Sequence, residues 1–412
     1  MRLIAAILLG LAACAGSENA DDLDPLQQGL AGRRPVPFDR IVRVYPDGRD
    51  LASIVFAKPV VHRSPIADFI KTATRTLGAA EFKRGIHDLA VFEDRLYFGY
   101  GDADRNLGRV MPIEIRALAG YPPNVITEAA TAEEEVATFR VLPGGRLMIP
   151  GLDPVRDSFI GNMYNGTGGT WRQHHALPDA VHVHDVTEHD GMIYAVGSGA
   201  RSGEWPNFVH AYLWRSNDGG NTYDVIARIP NEGRGDCRAY RLATAGNDLY
   251  VFGYKTGANN RADRIASFWW SGEQLKAFPP DHPLVDVLAL DTAAFGDVGV
   301  VRGIVSIATR KVGAWTIDAI GETRFIAPVR GRTAIDFIAG DQDFLILTID
   351  GDDFDARPLI SEVRVFVTRD FSTYTELLSY QTRDRPRSIA YWRGQIWIGT
   401  DGGKLLASSP WE

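Results

Sequence analysis

The chain has 412 residues, of which 45% are hydrophobic and 23% are charged, and its formal net charge is −8. A chain of this length and apolar content can bury a large core without disulfides or a structural metal. The acidic balance and the absence of a basic run argue against a nucleic-acid partner, because binding phosphates requires clustered Lys and Arg.

The first residues have the pattern of an export signal. Met1-Arg2 precedes an apolar run from Leu3 to Ala13, which is shorter than the roughly 20 residues needed to span a bilayer but typical of a signal peptide. The run ends Leu11-Ala12-Ala13-Cys14, which resembles the lipobox of bacterial lipoproteins. The resemblance implies cleavage after residue 13, acylation of Cys14 and a lipid bilayer as partner. An ordinary secretory signal cleaved nearby is the alternative.

The next segment is predicted to be a tether. Residues 14–37 are polar and carry several acids and Gly, a composition that cannot bury itself. Ala15 follows the cysteine, and a residue other than Asp there resembles the outer-membrane sorting signal of enteric lipoproteins. The expected location is therefore outside the cytoplasm, with a lipid anchor in the cell envelope, at the outer membrane.

Residues 38–412 are predicted to form one domain. Two short segments, 41–45 and 53–56, are rich in β-branched residues, and either could close the last sheet of the fold. One helix is predicted at about residues 64–77, because its apolar residues fall on one face. Ser64 is the expected N-cap and Pro65 the expected first helical residue.

The body repeats a unit of an apolar strand, a tight turn and a second strand that often ends in Gly. A period of roughly 40–50 residues built from short strands is typical of propellers. The sequence therefore predicts an all-β fold, a single seven-bladed β-propeller with one short N-terminal helix. The repeated position in the second strand is occupied by Tyr97, Met148, Tyr194, Tyr250, Leu345 and Trp397, with one gap of about double length that contains residues 298–301.

One turn has a more specific pattern. The run Ser216-Asn217-Asp218-Gly219-Gly220-Asn221-Thr222-Tyr223 resembles the Asp-box of sialidase-like, or BNR-repeat, propellers, with Tyr where that family has Trp. The resemblance implies a structural role in the turn, distant from any active site, and does not imply sialidase activity. The matching positions are Ser216, Asp218, Gly220, Thr222 and Tyr223.

Polar residues on the first strand of each blade are candidates for binding, because that strand lines the central channel of a propeller. His87 and His184 occupy one place in the repeat, ten residues before Tyr97 and Tyr194. A wet channel with structural hydrogen bonds would account for such residues without a ligand. The channel-lining candidates are His87, Asp88, Asp185, Tyr240 and Arg387.

A sharper hypothesis is an enzyme acting on an acidic glycan. In such a site His and Tyr would transfer protons and Arg would neutralise a uronate carboxylate. This set resembles that of propeller polysaccharide lyases, which implies His184, His210, Tyr254 and Arg241 as catalytic candidates. Because no catalytic motif is complete, enzymatic activity stays open. The leading hypothesis is a non-catalytic, membrane-anchored propeller that binds a glycan or a protein partner, and the alternative is a lyase or glycoside hydrolase.

No metal site and no cofactor are predicted. His182 could face the same side as His184, but no third ligand has suitable spacing. An acidic run could offer oxygen ligands to Ca²⁺, yet it lacks EF-hand spacing, and a solvated loop is the alternative. Its acids are Asp350, Asp352, Asp353 and Asp355. Cys237 is expected to be a buried small side chain rather than a reactive thiol.

Overall fold

The computed structural model describes residues 60–62, 64–78, 81–105, 113–154, 159–204, 208–229, 235–256, 262–305, 311–351 and 360–408. In these residues the fold is a β-propeller with one α-helix. The signal sequence, Cys14, the tether and the segments 41–45 and 53–56 lie outside the described residues. Within the described ranges, no helix has the length and apolar character needed to cross a membrane.

The strands are short and follow one another along the chain. In the first half they are β1 Val60–His62, β2 Asp88–Phe92, β3 Arg95–Gly99, β4 Glu114–Ala119, β5 Asn124–Ala130, β6 Glu133–Glu135, β7 Arg140–Leu142, β8 Arg146–Pro150, β9 Leu152–Pro154, β10 Ile160–Thr167, β11 Thr170–Pro178, β12 Ala180–His189, β13 Met192–Gly199, β14 Phe208–Ser216 and β15 Asp224–Ile229. In the second half they are β16 Gly235–Ala245, β17 Asp248–Thr256, β18 Ala262–Trp270, β19 Leu275–Ala277, β20 Leu288–Phe295, β21 Val298–Ile304, β22 Val312–Ile317, β23 Thr323–Phe325, β24 Arg332–Ala339, β25 Phe344–Asp350, β26 Ser361–Thr368, β27 Thr375–Thr382, β28 Pro386–Trp392, β29 Gln395–Thr400 and β30 Leu405–Ala407.

The strands form five separate four-stranded blades and one larger sheet. The blades are β2–β5, β7-β8-β10-β11, β20–β23, β24–β27 and β28–β30 with β1, and the other ten strands form one continuous sheet. In that sheet, β12–β15 and β16–β19 are joined by parallel pairing of Phe208 and Val209 with Gly235 and Asp236, and β9 and β6 extend it. The predicted number of seven blades is therefore wrong. A repeat length locates strands along the chain, but it does not specify which sheets merge through lateral pairing.

The last blade is completed by the beginning of the described chain. β1 pairs antiparallel with β30, with Val60 opposite Ala407 and His62 opposite Leu405. This pairing covers an edge that would otherwise be open to association. The segment that closes the blade in the described chain is thus Val60–His62, and the predicted closing segments, residues 41–45 and 53–56, lie outside the described residues.

The predicted helix is present as α1, Ala67–Leu77, and begins three residues later than expected. Ile66 is the N-cap, without a side-chain hydrogen bond, so the predicted capping by Ser64 is wrong. Phe69 and Ala73 are buried, and the Phe69 ring contacts Tyr100 edge-on at 5.1 Å. The helix therefore packs against the end of the first blade. Two short 3₁₀ turns span Ala103–Arg105 and Ala327–Val329.

The inner strands form a closed ring around the axis. They contact one another in the order β2, β7, β12, β16, β20, β24 and β28, and β28 contacts β2. Apolar side chains fill the spaces between adjacent sheets, and Cys237 lies fully buried in one of these layers with Val196 and Val251. Five inner strands contain one-residue register shifts, for example between Ala239 and Arg241 of β16. Such bulges redirect side chains.

Candidate functional site: an axial pocket between β12 and β16

Three aspartates link successive inner strands at the axis. Each accepts the backbone N–H of its own following residue and the N–H of a residue on, or directly before, the next inner strand. A carboxylate suits this place because a bulge interrupts the pairing of the strand. The two carboxylate oxygens accept hydrogen bonds from the backbone N–H groups that are left without a partner. The pairs across strands are Asp88 with Phe139, Asp185 with Leu242 and Asp336 with Ile389, at 2.6, 3.0 and 2.8 Å.

Arg140 crosses the axis from β7. Its guanidinium donates to both oxygens of Asp185, at 2.7 and 3.1 Å, and on the far side to the carbonyl of Thr292 on β20, at 3.1 Å. Asp291 lies 3.4 Å away on the same strand. Side chains therefore fill the channel at this level, and structural hydrogen bonding accounts for Asp88 and Asp185.

The acids at the axis differ in protonation. Burial, reinforced by the neighbouring Asp291, raises the pKa of Asp336 well above its usual range. Burial also opposes ionisation of Asp291, but the guanidinium groups of Arg140 and Arg302 hold its pKa below the ordinary value. The network thus contains a neutral acid, Asp336, beside the carboxylate of Asp291.

A small pocket opens beside this network, between β12 and β16. Its volume open to water is about 20 Å³, enough for one water molecule. One wall is apolar and comes from β8, β9, β12 and the segment after β6, while the polar wall comes mainly from β12 and β16. The lining residues are Ala137, Thr138, Pro150, Leu152, Val183, His184, Tyr240 and Arg241.

Arg241 is a cation held by backbone groups. It follows the bulge in β16, and its guanidinium donates to the carbonyls of Leu290, His184 and Tyr240 at 2.9, 3.1 and 2.9 Å. The guanidinium also lies over the Tyr240 ring, 4.4 Å from its centroid. Among the described residues no carboxylate forms a salt bridge with Arg241, although Asp291 acts on it through space. Its charge is therefore available to an anion.

His184 is a neutral imidazole on the same wall. Its side chain is buried, with 6% exposure, and Nε2 has no hydrogen-bond partner within the described ranges. Burial lowers the pKa of His184 well below its usual value, and His182, Arg238 and Arg241 lower it further. The ring lies 4.9 Å from that of Tyr240. An uncharged histidine with an unused nitrogen can accept a proton or bond a ligand.

Tyr254 on β17 and Arg238 on β16 lie close to Tyr240 but do not line the pocket. The Tyr254 ring is 6.3 Å from Tyr240, and its hydroxyl lies beside the Arg238 guanidinium without the geometry of a hydrogen bond. Arg238 donates to Asp236 at 2.7 Å, which balances its charge. Burial raises the pKa of the Tyr254 hydroxyl above its usual value, so this hydroxyl stays protonated.

The structure places three of the predicted residues, His184, Tyr240 and Arg241, in the lining of the pocket, and the ring of Tyr254 lies 6.3 Å from that of Tyr240. Three others lie apart from the pocket. His210 faces Glu204, 3.6 Å away, on the third strand of its sheet. His87 contacts the carbonyl of Gly101 at 3.1 Å and belongs to the end of the first blade. Arg387 forms an ion pair with Asp401.

The predicted turn motif has dense local hydrogen bonding. Asp218 accepts from the amides of Asn221 and Thr222, both at 3.0 Å, and from the Ser216 hydroxyl at 2.8 Å. These bonds lower the pKa of Asp218 to about 2. Gly220 donates its amide to Ser216, and Tyr223 is buried against the blade. This geometry fits a structural turn.

The predicted Ca²⁺ ligands fall mostly outside the described residues, as Asp352, Asp353 and Asp355 do. The exception is Asp350, which accepts the amide of Glu362 at 2.7 Å. No group of three or more metal-ligating side chains occurs in the described ranges.

Several functional neighbours were missing from the sequence prediction. Asp291 and Asp336 lie nine residues before Val300 and Leu345, the same spacing that separates Asp88 from Tyr97. This nine-residue spacing could have identified Asp291 and Asp336 as acids at the axis. Arg140 gave no such signal, because its strand β7 has three residues and its reach across the axis depends on tertiary structure.

No protein-family model matches the chain, and no curated protein sequence does. Several solved propeller structures have a similar chain trace. A virginiamycin B lyase from Staphylococcus aureus has 13% identity, covers 79% of this chain and 95% of its own, and has a TM-score of 0.45. An ulvan lyase has 12% identity, 79% and 94% coverage and a TM-score of 0.46. The extracellular domain of a hybrid two-component system from B. thetaiotaomicron has 10% identity, 86% and 43% coverage and a TM-score of 0.49.

Proposed function

We propose that this protein is a membrane-anchored β-propeller that binds a carboxylate-bearing glycan at the axial pocket. The observation that carries the proposal is Arg241, a guanidinium that lines the pocket and forms no salt bridge with a carboxylate in the described part of the chain. Arginine favours carboxylates because its planar donors match their geometry. The small volume implies that one acidic group enters the pocket and that the remainder of the glycan lies across the face of the propeller.

Calorimetric titration of the purified full chain tests this function. Polygalacturonate is the acidic probe and dextran the neutral one. We expect saturable binding of polygalacturonate, no binding of dextran, and a loss of at least 10-fold in affinity for Arg241→Gln, because charge-assisted hydrogen bonds contribute about 1.5–3 kcal/mol. Arg215→Gln on β14 is the matched control and should bind like wild type. Equal binding of both polymers, or an unaffected Arg241→Gln, would contradict the proposal.

A second candidate function is β-elimination on the same class of glycan. The specific observation is that neutral His184 lies 4.9 Å from Tyr240, next to Arg241. His184 Nε2 would take the proton from the carbon beside the carboxylate, and that electron pair would form a carbon–carbon double bond. The bond to the glycosidic oxygen would break, and this oxygen would take a proton from the Tyr240 hydroxyl.

Ultraviolet absorbance of the new conjugated double bond measures this reaction. Turnover of polygalacturonate by the wild type, abolished in His184→Gln and retained in the control His174→Gln, would support elimination. His174 is a suitable control because it lies on β11, away from the axis. Binding without any increase in absorbance would leave the protein as a binding module only.

The membrane anchor is proposed on the lipobox-like sequence that ends at Cys14. Acyl chains contribute about 0.8 kcal/mol per buried methylene, so several chains hold a protein firmly on a bilayer. In a Gram-negative host, we expect the full chain in the membrane fraction and Cys14→Ser in the soluble fraction. Cys237→Ser is the matched control and should remain with the membrane. Wild-type protein found only in the soluble fraction would refute the anchor.

A further inference from the structure

One buried acid at the axis lacks a cationic partner. Asp336 is only 7% exposed and forms no salt bridge within the described ranges. Asp185, which has the same place on its own inner strand, is bonded by the guanidinium of Arg140 at 2.7 and 3.1 Å. Because a carboxylate that leaves water without such a partner is costly, the group takes up a proton instead. The surroundings of Asp336 therefore favour its neutral form.

The carboxyl groups of Asp336 and Asp291 are hydrogen-bonded to each other. Two carboxylates cannot form this bond, because each is only an acceptor, so one of the pair must carry a proton. Arg140, which lies 3.4 Å from Asp291, favours the charged form of Asp291, and so do Arg302 and Arg241. The proton therefore belongs to Asp336, whose hydroxyl donates to the carboxylate of Asp291.

The other charged groups around Asp336 agree with this assignment. Asp88, on β2, is a neighbouring acid that also opposes ionisation of Asp336, and burial raises the pKa of Asp88 itself to about 7. Arg302, on β21, is the cation that most favours ionisation of Asp336, but the two form no salt bridge in the described part of the chain. Arg241 on β16 and Arg387 on β28 repel Arg302.

Protonated Asp336 connects three inner strands. It lies on β24, accepts the N–H of Ile389 on β28 at 2.8 Å and donates to Asp291 on β20. We propose that this proton is a pH-sensitive lock that ties β20 to β24 and β28 at the axis, and that its loss in alkaline solution loosens this part of the ring. Ionisation removes the hydrogen of the bond and places two negative charges side by side. The lock does not depend on anion binding by Arg241.

The sign of the effect on stability follows from the protonation of the folded state. Burial and Asp291 raise the pKa of Asp336, whereas in the unfolded chain it has the ordinary value of about 4. Between these two values the folded state holds a proton that the unfolded state has released. The stabilisation is therefore complete below the ordinary value and is lost as the pH rises to the raised one. Within this window, the unfolding equilibrium constant increases about tenfold per pH unit.

Urea denaturation of the wild type and Asp336→Asn at pH 5.5 and pH 7.5 tests the lock. Asparagine is neutral at both pH values, and its amide can donate to Asp291 as the acid does. The unfolding constant of the wild type relative to the variant should rise at least about 10-fold between the two pH values, toward a limit of about 100-fold for one proton. Groups such as His182 titrate in both proteins and cancel from the ratio.

Asp185→Asn is the matched control, because Asp185 also accepts two backbone N–H groups but has the salt bridge with Arg140. The same ratio for this variant should change by less than about 3-fold, since no extra proton is held. A ratio for Asp336→Asn that is equally constant would overturn the proposal.

A second measurement on the wild type alone keeps the proposal testable if Asp336→Asn does not fold. Infrared spectra at pH 6 should contain the C=O stretch of a protonated carboxylic acid, and this band should disappear in alkaline solution. Its loss should coincide with faster hydrogen exchange in the peptides of β20 and β24, after correction for the intrinsic effect of pH. A spectrum without the band at pH 6, or unchanged protection of both strands after its loss, would refute the lock.

Discussion

Asp185 joins three inner strands, so its replacement should destabilise the whole ring. The carboxylate is fully buried and accepts four hydrogen bonds, two from Arg140 and one each from the amides of Val186 and Leu242. Asp185→Asn keeps the shape but removes the charge and one acceptor oxygen. Breaking a buried ion pair by removing one partner costs about 3–5 kcal/mol. For a domain of roughly 350 residues, the unfolding entropy is about 0.7 kcal/mol/K, so Tm should fall by about 4–7 °C.

Calorimetry and urea denaturation of both proteins measure this effect. Asp224→Asn is the matched control, because Asp224 is exposed at the start of β15 and should change the free energy of unfolding by less than about 0.5 kcal/mol. A double-mutant cycle of Arg140→Met and Asp185→Asn should give a coupling energy above about 1 kcal/mol, because each single change already breaks the same contact. An Asp185→Asn protein as stable as the control would refute the reasoning that this carboxylate links the strands.

Three further predictions follow from burial and close contacts. Burial lowers the pKa of His182 to about 3, so below about pH 6.5 the unfolded state alone takes up its proton, and stability is lost as the pH falls. The free energy of unfolding of His182→Gln, measured by urea denaturation relative to wild type, should therefore rise by about 2 kcal/mol between pH 7 and pH 5. The same difference between the two proteins at both pH values would contradict this prediction. A Cβ at Gly197 would lie 2.0 Å from the carbonyl oxygen of His182, whereas one at Gly85 would have its nearest neighbour at 3.4 Å. Gly197→Ala should destabilise the fold by about 3 kcal/mol or more in the same assay while Gly85→Ala stays near wild type, and equal effects would contradict the contact. Burial raises the pKa of Cys237 to about 11, so peptide-resolved alkylation should modify it only after unfolding, and rapid labelling of the folded protein would show that the thiol is accessible.

The features that could be predicted from the sequence are those set by short stretches of the chain. The strand repeat, the helix at α1 and the buried Cys237 depend on short patterns of polarity and turn residues, and these are confirmed. The lateral pairing of Phe208 with Gly235 merges two sheets. This pairing joins the edges of two sheets through segments in which the sequence repeat is not visible. The repeat alone therefore predicts seven blades, whereas five separate blades are present.

The candidate site was predictable to a similar degree. His184 and Tyr240 were found because they share one position in the repeat, Arg241 occupies the next position, and the structure brings the three together at the pocket. His210 was wrongly grouped with them, because its place on β14 turns it toward Glu204. The role of Arg140 depends on a contact with β20 on the opposite side of the axis, which no local pattern reveals.

The most direct test is a crystal structure of the full chain soaked with galacturonate. We expect electron density for the sugar acid in the axial pocket, with a carboxylate oxygen within about 3 Å of the Arg241 guanidinium. Density for the sugar at an outer blade edge, with only water beside Arg241, would contradict it.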